Sequence, residues 1–290
     1  MIVLPPLPDD LPWKTPAYLL LDGVSVPNLA QHIYQWDNQA YSLYQKTRWQ
    51  ELGDISPYLI ALKGANDPLL AHFHEHAVLE WGYLLFSDAD AHNLWSHWRH
   101  LLTVEHPSGV EVMPRIADPA VMNQLFGLAA ETGSARWFGP FSHACLPDGV
   151  ELKWHQHSRP DPANAKPDIY RLTDSELTAL GEVEFRNFVS GLNEHLQTFF
   201  PDFMSSLAEP ERRKYAQKIA DDAYQQGFAS EQEITLYANV FGYLAGEHMT
   251  DHPDIFHLLT ESTPEAPLKR LERAAELAEH RATDRQGSLS

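Results

Sequence analysis

Residues 57–86 read PYLIALKGANDPLLAHFHEHAVLEWGYLLF, and the changes of pattern inside this stretch set the fold class. Pro57 to Leu62 is a short apolar run suited to a buried strand, and Lys63-Gly64 ends it. Asp67-Pro68 then marks a helix start, because aspartate is a favoured N-cap and proline is tolerated in the first turn. Tyr83 to Phe86 is apolar again and stops at Ser87-Asp88. A strand, a helix and a second strand in this space make the unit from which helices are layered on a sheet.

The same pattern extends in both directions. Ala17 to Leu21, followed by Asp22-Gly23, reads as a buried strand and its turn, and Pro27 to Trp36 places Leu29, Ile33 and Trp36 on one helical face. Downstream, Asp90 to Leu102 carries Leu94, Trp98, Leu101 and Leu102 at core spacing. Val110 to Ile116 reads as extended, and Asp118-Pro119 opens a helix reaching about Glu131. This part is expected to be a layered α/β lobe with a mixed sheet.

The stretch SRPDPANAKP, Ser158 to Pro167, is proline-rich and polar and reads as a linker. Beyond it the pattern is helical. Phe185, Phe188, Leu192, Leu196 and Phe199 recur at three-and-four spacing within Asp174 to Phe199, and Glu209 to Gly227 is a second helix. Ser230 with Glu233 forms a capping box for a third, striped by Ile234, Tyr237, Phe241 and Leu244. Pro264 to His280 is a last, charged helix, and the tail TDRQGSLS is expected to fray. The expected fold class is α+β, with an α/β domain at residues 1–160 and a helical lobe at 161–290.

Composition narrows the function. Hydrophobic content of 43% and charged content of 21% are globular values. No apolar run reaches the ~20 residues needed to cross a bilayer. The opening MIVLPPLPDDLPW lacks the basic start of a secretory signal. A single cysteine, Cys145, leaves no intramolecular disulfide and fits a reducing compartment, so a cytoplasmic location is expected. The net charge of -19 would be repelled by phosphate backbones and anionic lipid, which argues against nucleic acid or membrane as partner.

Catalytic motifs are absent from the sequence: there is no GxSxG elbow, no glycine-rich phosphate loop, no CxxC pair and no HExxH. Cys145 reads as a buried, inert thiol. The histidines of HFHEHAVLEW, residues 72–81, raise the question of a metal. His72 and His76 are four apart and share a helical face, with Glu80 continuing it, while His74 points away. Glu75 is at the wrong spacing to serve as a base beside them, and further ligands would have to come from elsewhere, such as His97 and His100. In a chain with 16 histidines the favoured reading is a solvated face, so no metal and no cofactor are expected. The aromatic residues read first as core. Trp95 and Trp98 share a helix on which one of them is expected to be exposed, and Trp137-Phe138-Gly139-Pro140 is a bulky pair before a turn. Their alternative reading is an anchor surface for another protein.

Several stretches, in order, resemble one family. They are Leu20-Leu21-Asp22-Gly23, Ser56-Pro57-Tyr58-Leu59-Ile60-Ala61-Leu62, Trp81-Gly82-Tyr83-Leu84-Leu85-Phe86-Ser87, Trp98-Arg99-His100-Leu101-Leu102-Thr103-Val104, Arg115-Ile116-Ala117-Asp118-Pro119 and Phe138-Gly139-Pro140. Together they are similar to the effector adaptor chaperones of bacterial type VI secretion, of the Tap or TEC type, built on a domain of unknown function usually encoded beside the VgrG spike gene. The helical part resembles the variable second lobe of those proteins, notably at Ser230 to Gly246 and Pro253 to Leu259. The chain departs from the family at Ile116 and Ala117, where an aromatic pair is usual, and at Ala120, where arginine is common.

The resemblance implies a non-enzymatic protein of a Gram-negative bacterium that binds and stabilises a toxic effector in the cytoplasm and loads it onto VgrG. The partner-binding candidates are Arg99, Arg115, Asp118, Trp98, Trp137 and Phe138. Arg99 and Arg115 are motif arginines that could orient a cargo carboxylate, or either could pair with Asp118 at the sheet end. Two other readings stand beside this one: a metal-dependent hydrolase using His72 and His76, and an acidic immunity-type protein.

Overall fold

The computed structural model describes residues 3–160, 170–245, 247–261 and 264–288. Two units divide the chain, Met1–Val183 and Glu184–Ser290. The first runs β1 (Ala17–Leu21), α1 (Leu29–Gln35), β2 (Ala40–Ser42), β3 (Tyr58–Ala61), α2 (Pro68–His76), β4 (Gly82–Phe86) and α3 (Ala91–His100). It continues with β5 (Val104–Glu105), β6 (Glu111–Val112), α4 (Pro119–Thr132), β7 (His143–Asp148) and β8 (Lys153–Ser158), and α5 (Asp174–Phe199) leads into the second unit. The α+β class stands as expected.

The main sheet has six strands in the order β2-β3-β1-β4-β7-β8. Its ladders are all antiparallel, where the sequence suggested a mixed sheet. The reason is topological. β3 and β4, joined through α2, do share a direction, but β1 lies between them and pairs antiparallel with both. Of the extended segment expected at Val110 to Ile116, only Glu111–Val112 is strand, paired with Val104–Glu105 in a separate hairpin.

Side chains alternate across a strand, and here both faces are covered. Tyr18, Leu20, Leu59, Tyr83 and Leu85 pack with Trp98 of α3 and Met122, Leu125 and Phe126 of α4. Leu19, Leu21, Ile60, Leu84 and Phe86 pack with Leu29 of α1 and Leu69, Leu70 and Phe73 of α2. Helices on both faces explain why β1 and β4 are apolar along their whole length. Asp67, Asp90 and Asp118 cap α2, α3 and α4, each accepting a first-turn amide, with Pro68 and Pro119 beginning two of these helices.

Close approaches hold the sheet to its connections. A Cβ at Gly82 would overlap the Leu20 carbonyl, and one at Gly23 would overlap the Ser56 carbonyl. The strand β8 and the short β2 carry no clear apolar alternation; β8, KWHQHS, is a half-exposed edge strand.

Past residue 160, where the composition changes, chain still belongs to the first unit. Tyr170, Leu172 and Val183 are buried in its core, with Leu177 and Leu180 packed against it. At the start of α5, the Thr173 hydroxyl accepts from the Glu176 amide at 3.2 Å while the Glu176 carboxylate accepts from the Thr173 amide at 2.8 Å. Most of the expected linker, residues 161–169, lies outside the described residues.

The second unit adds α6 (Glu209–Gln225), α7 (Glu231–Leu244), α8 (Pro253–Thr260) and α9 (Pro267–Ser288) to the end of α5. Its core joins Val189, Leu192 and Leu196 to Ala216, Ile219 and Ala220 of α6, Ile234, Tyr237 and Val240 of α7, and Leu271, Ala274 and Ala278 of α9. Phe199, expected in the stripe, is the last residue of α5 and is 66% exposed, while Phe203 beyond the helix end is buried in this core. The expected capping box is present at Ser230 and Glu233. The tail expected to fray continues α9 to Ser288. Arg281 clamps Asp254 through two bonds of 2.8 and 2.6 Å. Arg285 donates to the Tyr243 and Leu244 carbonyls at the C-terminal end of α7, where a cation is favoured.

Candidate functional site

The six candidate residues separate by burial. Trp98, Trp137 and Phe138 are 0%, 1% and 0% exposed and belong to the core of the first unit. They present no surface to a partner, and their packing is that of structural aromatics. Trp98 meets Tyr83 and Phe141, and Phe138 meets Phe126 at 4.3 Å between centroids. The indole N–H of Trp137 donates to the buried Glu176 carboxylate at 2.6 Å. The hydroxyl of Tyr170 donates to the same carboxylate, and burial, followed by that neighbour, pushes its pKa well up.

Arg115 and Asp118 form a second structural group. One guanidinium nitrogen of Arg115 bonds the buried Asp22, and the other lies 3.2 Å from Asp118. Asp118 spends its other oxygen on the amides of Ala120 at 2.9 Å and Val121 at 3.3 Å, starting α4. Asp22 also accepts from the Val24 amide at 3.0 Å and the Ser25 hydroxyl at 3.1 Å. Burial raises the pKa of the Asp118 carboxyl, with Arg115 pulling against it. The guanidinium is raised in turn, because Asp118 and Asp22 outweigh its own desolvation. Tyr83 closes the group by donating its hydroxyl to the Ile116 carbonyl at 2.6 Å.

Arg99 is not in this group and does not reach Asp118. It stacks over Trp95 at 4.2 Å and donates to the Lys46 carbonyl at 3.0 Å. Trp95 is half-buried and donates its indole N–H to the Ser42 carbonyl at 2.9 Å. Lys46, whose carbonyl accepts the bond from Arg99, is exposed, and Arg48 is exposed too but is ion-paired with Glu111.

The motifs thus meet one another rather than lining one cleft. Gly139 adopts a positive φ of 52°, and a Cβ there would overlap the imidazole of His97. That imidazole donates to the Trp137 carbonyl at 3.1 Å, and burial lowers its pKa to about 4. His97 is therefore held against the FGP turn and is not a ligand companion to His72. Ser87 donates to the Pro140 carbonyl at 2.7 Å. Cys145 is fully buried, and burial pushes its thiol up to about 12.

The histidine cluster lies on the opposite face of the sheet, at the end of α2. The His72 and His76 rings are 4.5 Å apart between centroids, and His76 stacks on Trp81 at 4.3 Å. Glu75, set aside in the sequence, is an i,i+3 neighbour of His72. It places a carboxylate oxygen within 4.8 Å of a ring nitrogen of each histidine. His74 does point away: it bonds the Pro5 carbonyl at 3.0 Å and stacks on Trp154.

Residues 17–133 match the family described as Domain of unknown function (DUF4123). The chain is also similar to the Accessory protein VasW of Vibrio cholerae serotype O1 (strain ATCC 39315 / El Tor Inaba N16961). The two are 29% identical over 268 residues, which covers 90% of this chain and 87% of that protein. No solved structure matches the chain. The family match begins with β1 and ends just past α4, so it takes in strands β1 to β4 of the main sheet and both arginine groups, and leaves out β7 and β8.

Proposed function

We propose, from the match of residues 17–133 to DUF4123, a domain of type VI secretion adaptors, that this chain is an effector chaperone. In this reading it holds one cognate toxic effector in the cytoplasm and hands it to the VgrG spike. The observation that carries the proposal is similarity to an accessory protein along both units, over 90% of the chain. The protein acts by binding and performs no chemistry of its own. No helix among the described residues is long and apolar enough to cross a membrane.

In this reading the cargo surface centres on Arg99 and the adjoining, exposed Lys46. Arginine held flat on a tryptophan is already ordered, so less side-chain entropy is lost when it engages a carboxylate. In an acidic chain, a local positive patch also steers an acidic segment of cargo to one place. Arg115 and Asp118 take the supporting role, holding β1 to the start of α4.

Affinity capture of the tagged protein from secretion-active cells, read by mass spectrometry, tests the proposal. Recovery of one effector together with VgrG is expected, and recovery of neither overturns it. Deleting the gene separates this role from immunity: cells lacking an adaptor grow normally but fail to deliver one toxin, whereas cells lacking an immunity protein are poisoned.

A further inference from the structure

The adaptor reading makes no use of the histidine cluster, whose geometry is that of a ligand set. His72 and His76 face the same way from the last turns of α2, and one donor atom from each of His72, Glu75 and His76 lies within 4.8 Å of the other two. The donor set, two imidazoles and one carboxylate, is one that zinc accepts in three-ligand sites with an open fourth position.

The ring orientations add an independent argument. Nδ1 of His76 is 2.9 Å from the His72 carbonyl. A carbonyl only accepts, so Nδ1 carries a hydrogen, and in the neutral ring Nε2 is then the nitrogen with a lone pair to offer. Metal-bound histidines are held in this way, with the second ring nitrogen bonded to a carbonyl or carboxylate that fixes tautomer and orientation. Trp81 lies parallel to the same ring, at an interplanar angle of 7°. Glu75 is exposed and makes no hydrogen bond or ion pair among the described residues, so its carboxylate is available.

The other three-donor group differs. In Asp148, Glu151 and His155, Asp148 already accepts from the amides of Val150 at 2.8 Å and Glu151 at 2.9 Å, and pairs with His155. That group is a hydrogen-bonded β7–β8 turn.

We propose that His72, Glu75 and His76 form a binding site for a zinc-class transition-metal ion on the first unit. The site is independent of the adaptor role, and the open coordination position is filled by water or by a donor side chain of a bound protein.

The test uses the full chain, stripped of metal and titrated with Zn²⁺ by calorimetry and with Co²⁺ by visible absorption. One equivalent of Zn²⁺ and the d–d bands of four- or five-coordinate Co²⁺ are expected. Co²⁺ should also quench tryptophan fluorescence through Trp81 and through Trp36, whose ring lies 5.9 Å from that of His72, and Trp81→Phe with Trp36→Phe should remove most of that quenching while leaving the stoichiometry at one. His72→Gln with His76→Gln is expected to weaken binding by at least about tenfold, whereas His155→Gln leaves it unchanged. Absence of binding by the parent chain, octahedral Co²⁺ bands, or loss of binding in His155→Gln instead would overturn the proposal.

Discussion

At the scale of single residues, two arginines that look alike in the sequence have different work. Arg115 lies between the buried carboxylates of Asp22 and Asp118. Removing it leaves two like charges without their cation, so Arg115→Ala should lower stability by about 1–3 kcal/mol in urea denaturation, the lower end reflecting its exposed flank. Arg99 has a backbone carbonyl and an indole face as partners. Arg99→Ala should stay within about 1 kcal/mol of the parent and yet lose effector capture. A variant that captures normally would move the cargo surface elsewhere.

Two half-buried histidines set a pH dependence. Burial lowers the pKa of His97 and of His157 to about 4 from an ordinary value of 6.5. Between these values the unfolded chain binds protons that the folded chain does not, so stability rises with pH across the window. The contribution is complete above about 6.5 and is lost as pH falls towards 4. Urea midpoints measured from pH 4 to 7 should climb with a slope approaching about two protons. In the double variant His97→Gln, His157→Gln that slope should flatten.

Elements were legible where local chemistry alone decides them. The two Asp-Pro helix starts, the Ser230 capping box and the fully apolar β1 and β4 announce themselves in the sequence because caps and strand runs are short-range. The strands β2 and β8 were not legible. An edge strand is half solvated, and KWHQHS carries neither the alternation nor the apolar run that marks a buried strand. Gly82→Ala should test the tightness of the central pairing, since its Cβ would overlap the Leu20 carbonyl. A loss of about 3 kcal/mol or failure to fold is expected. Ser230→Ala should lose only about 1 kcal/mol, the worth of one cap. Thermal melts followed by circular dichroism read both.

For the whole molecule, the two units have separate cores, and the eight tryptophans all fall in the first. Fluorescence therefore reports the first unit, while most of the helical signal at 222 nm reports the second. Ile234→Ala, a cavity in the second core, should move the circular dichroism transition and leave the fluorescence transition nearly in place. Coincident movement of both would mean that the units unfold as one.

The sequence by itself determined the α+β class, the helix starts, the inert cysteine and the family motifs in their order. All of these depend on chemistry within a few residues or on the burial pattern of one element. Tertiary structure alone decided that β1 lies between β3 and β4, that Trp98, Trp137 and Phe138 are core and not surface, and that Asp22 meets Arg115 across the fold. It also decided that the first unit continues to Val183, where composition had suggested an earlier boundary. The physical reason is the same in each case: whether an aromatic or a charge is buried, and against what, depends on contacts between residues far apart in the chain, and no local pattern records them.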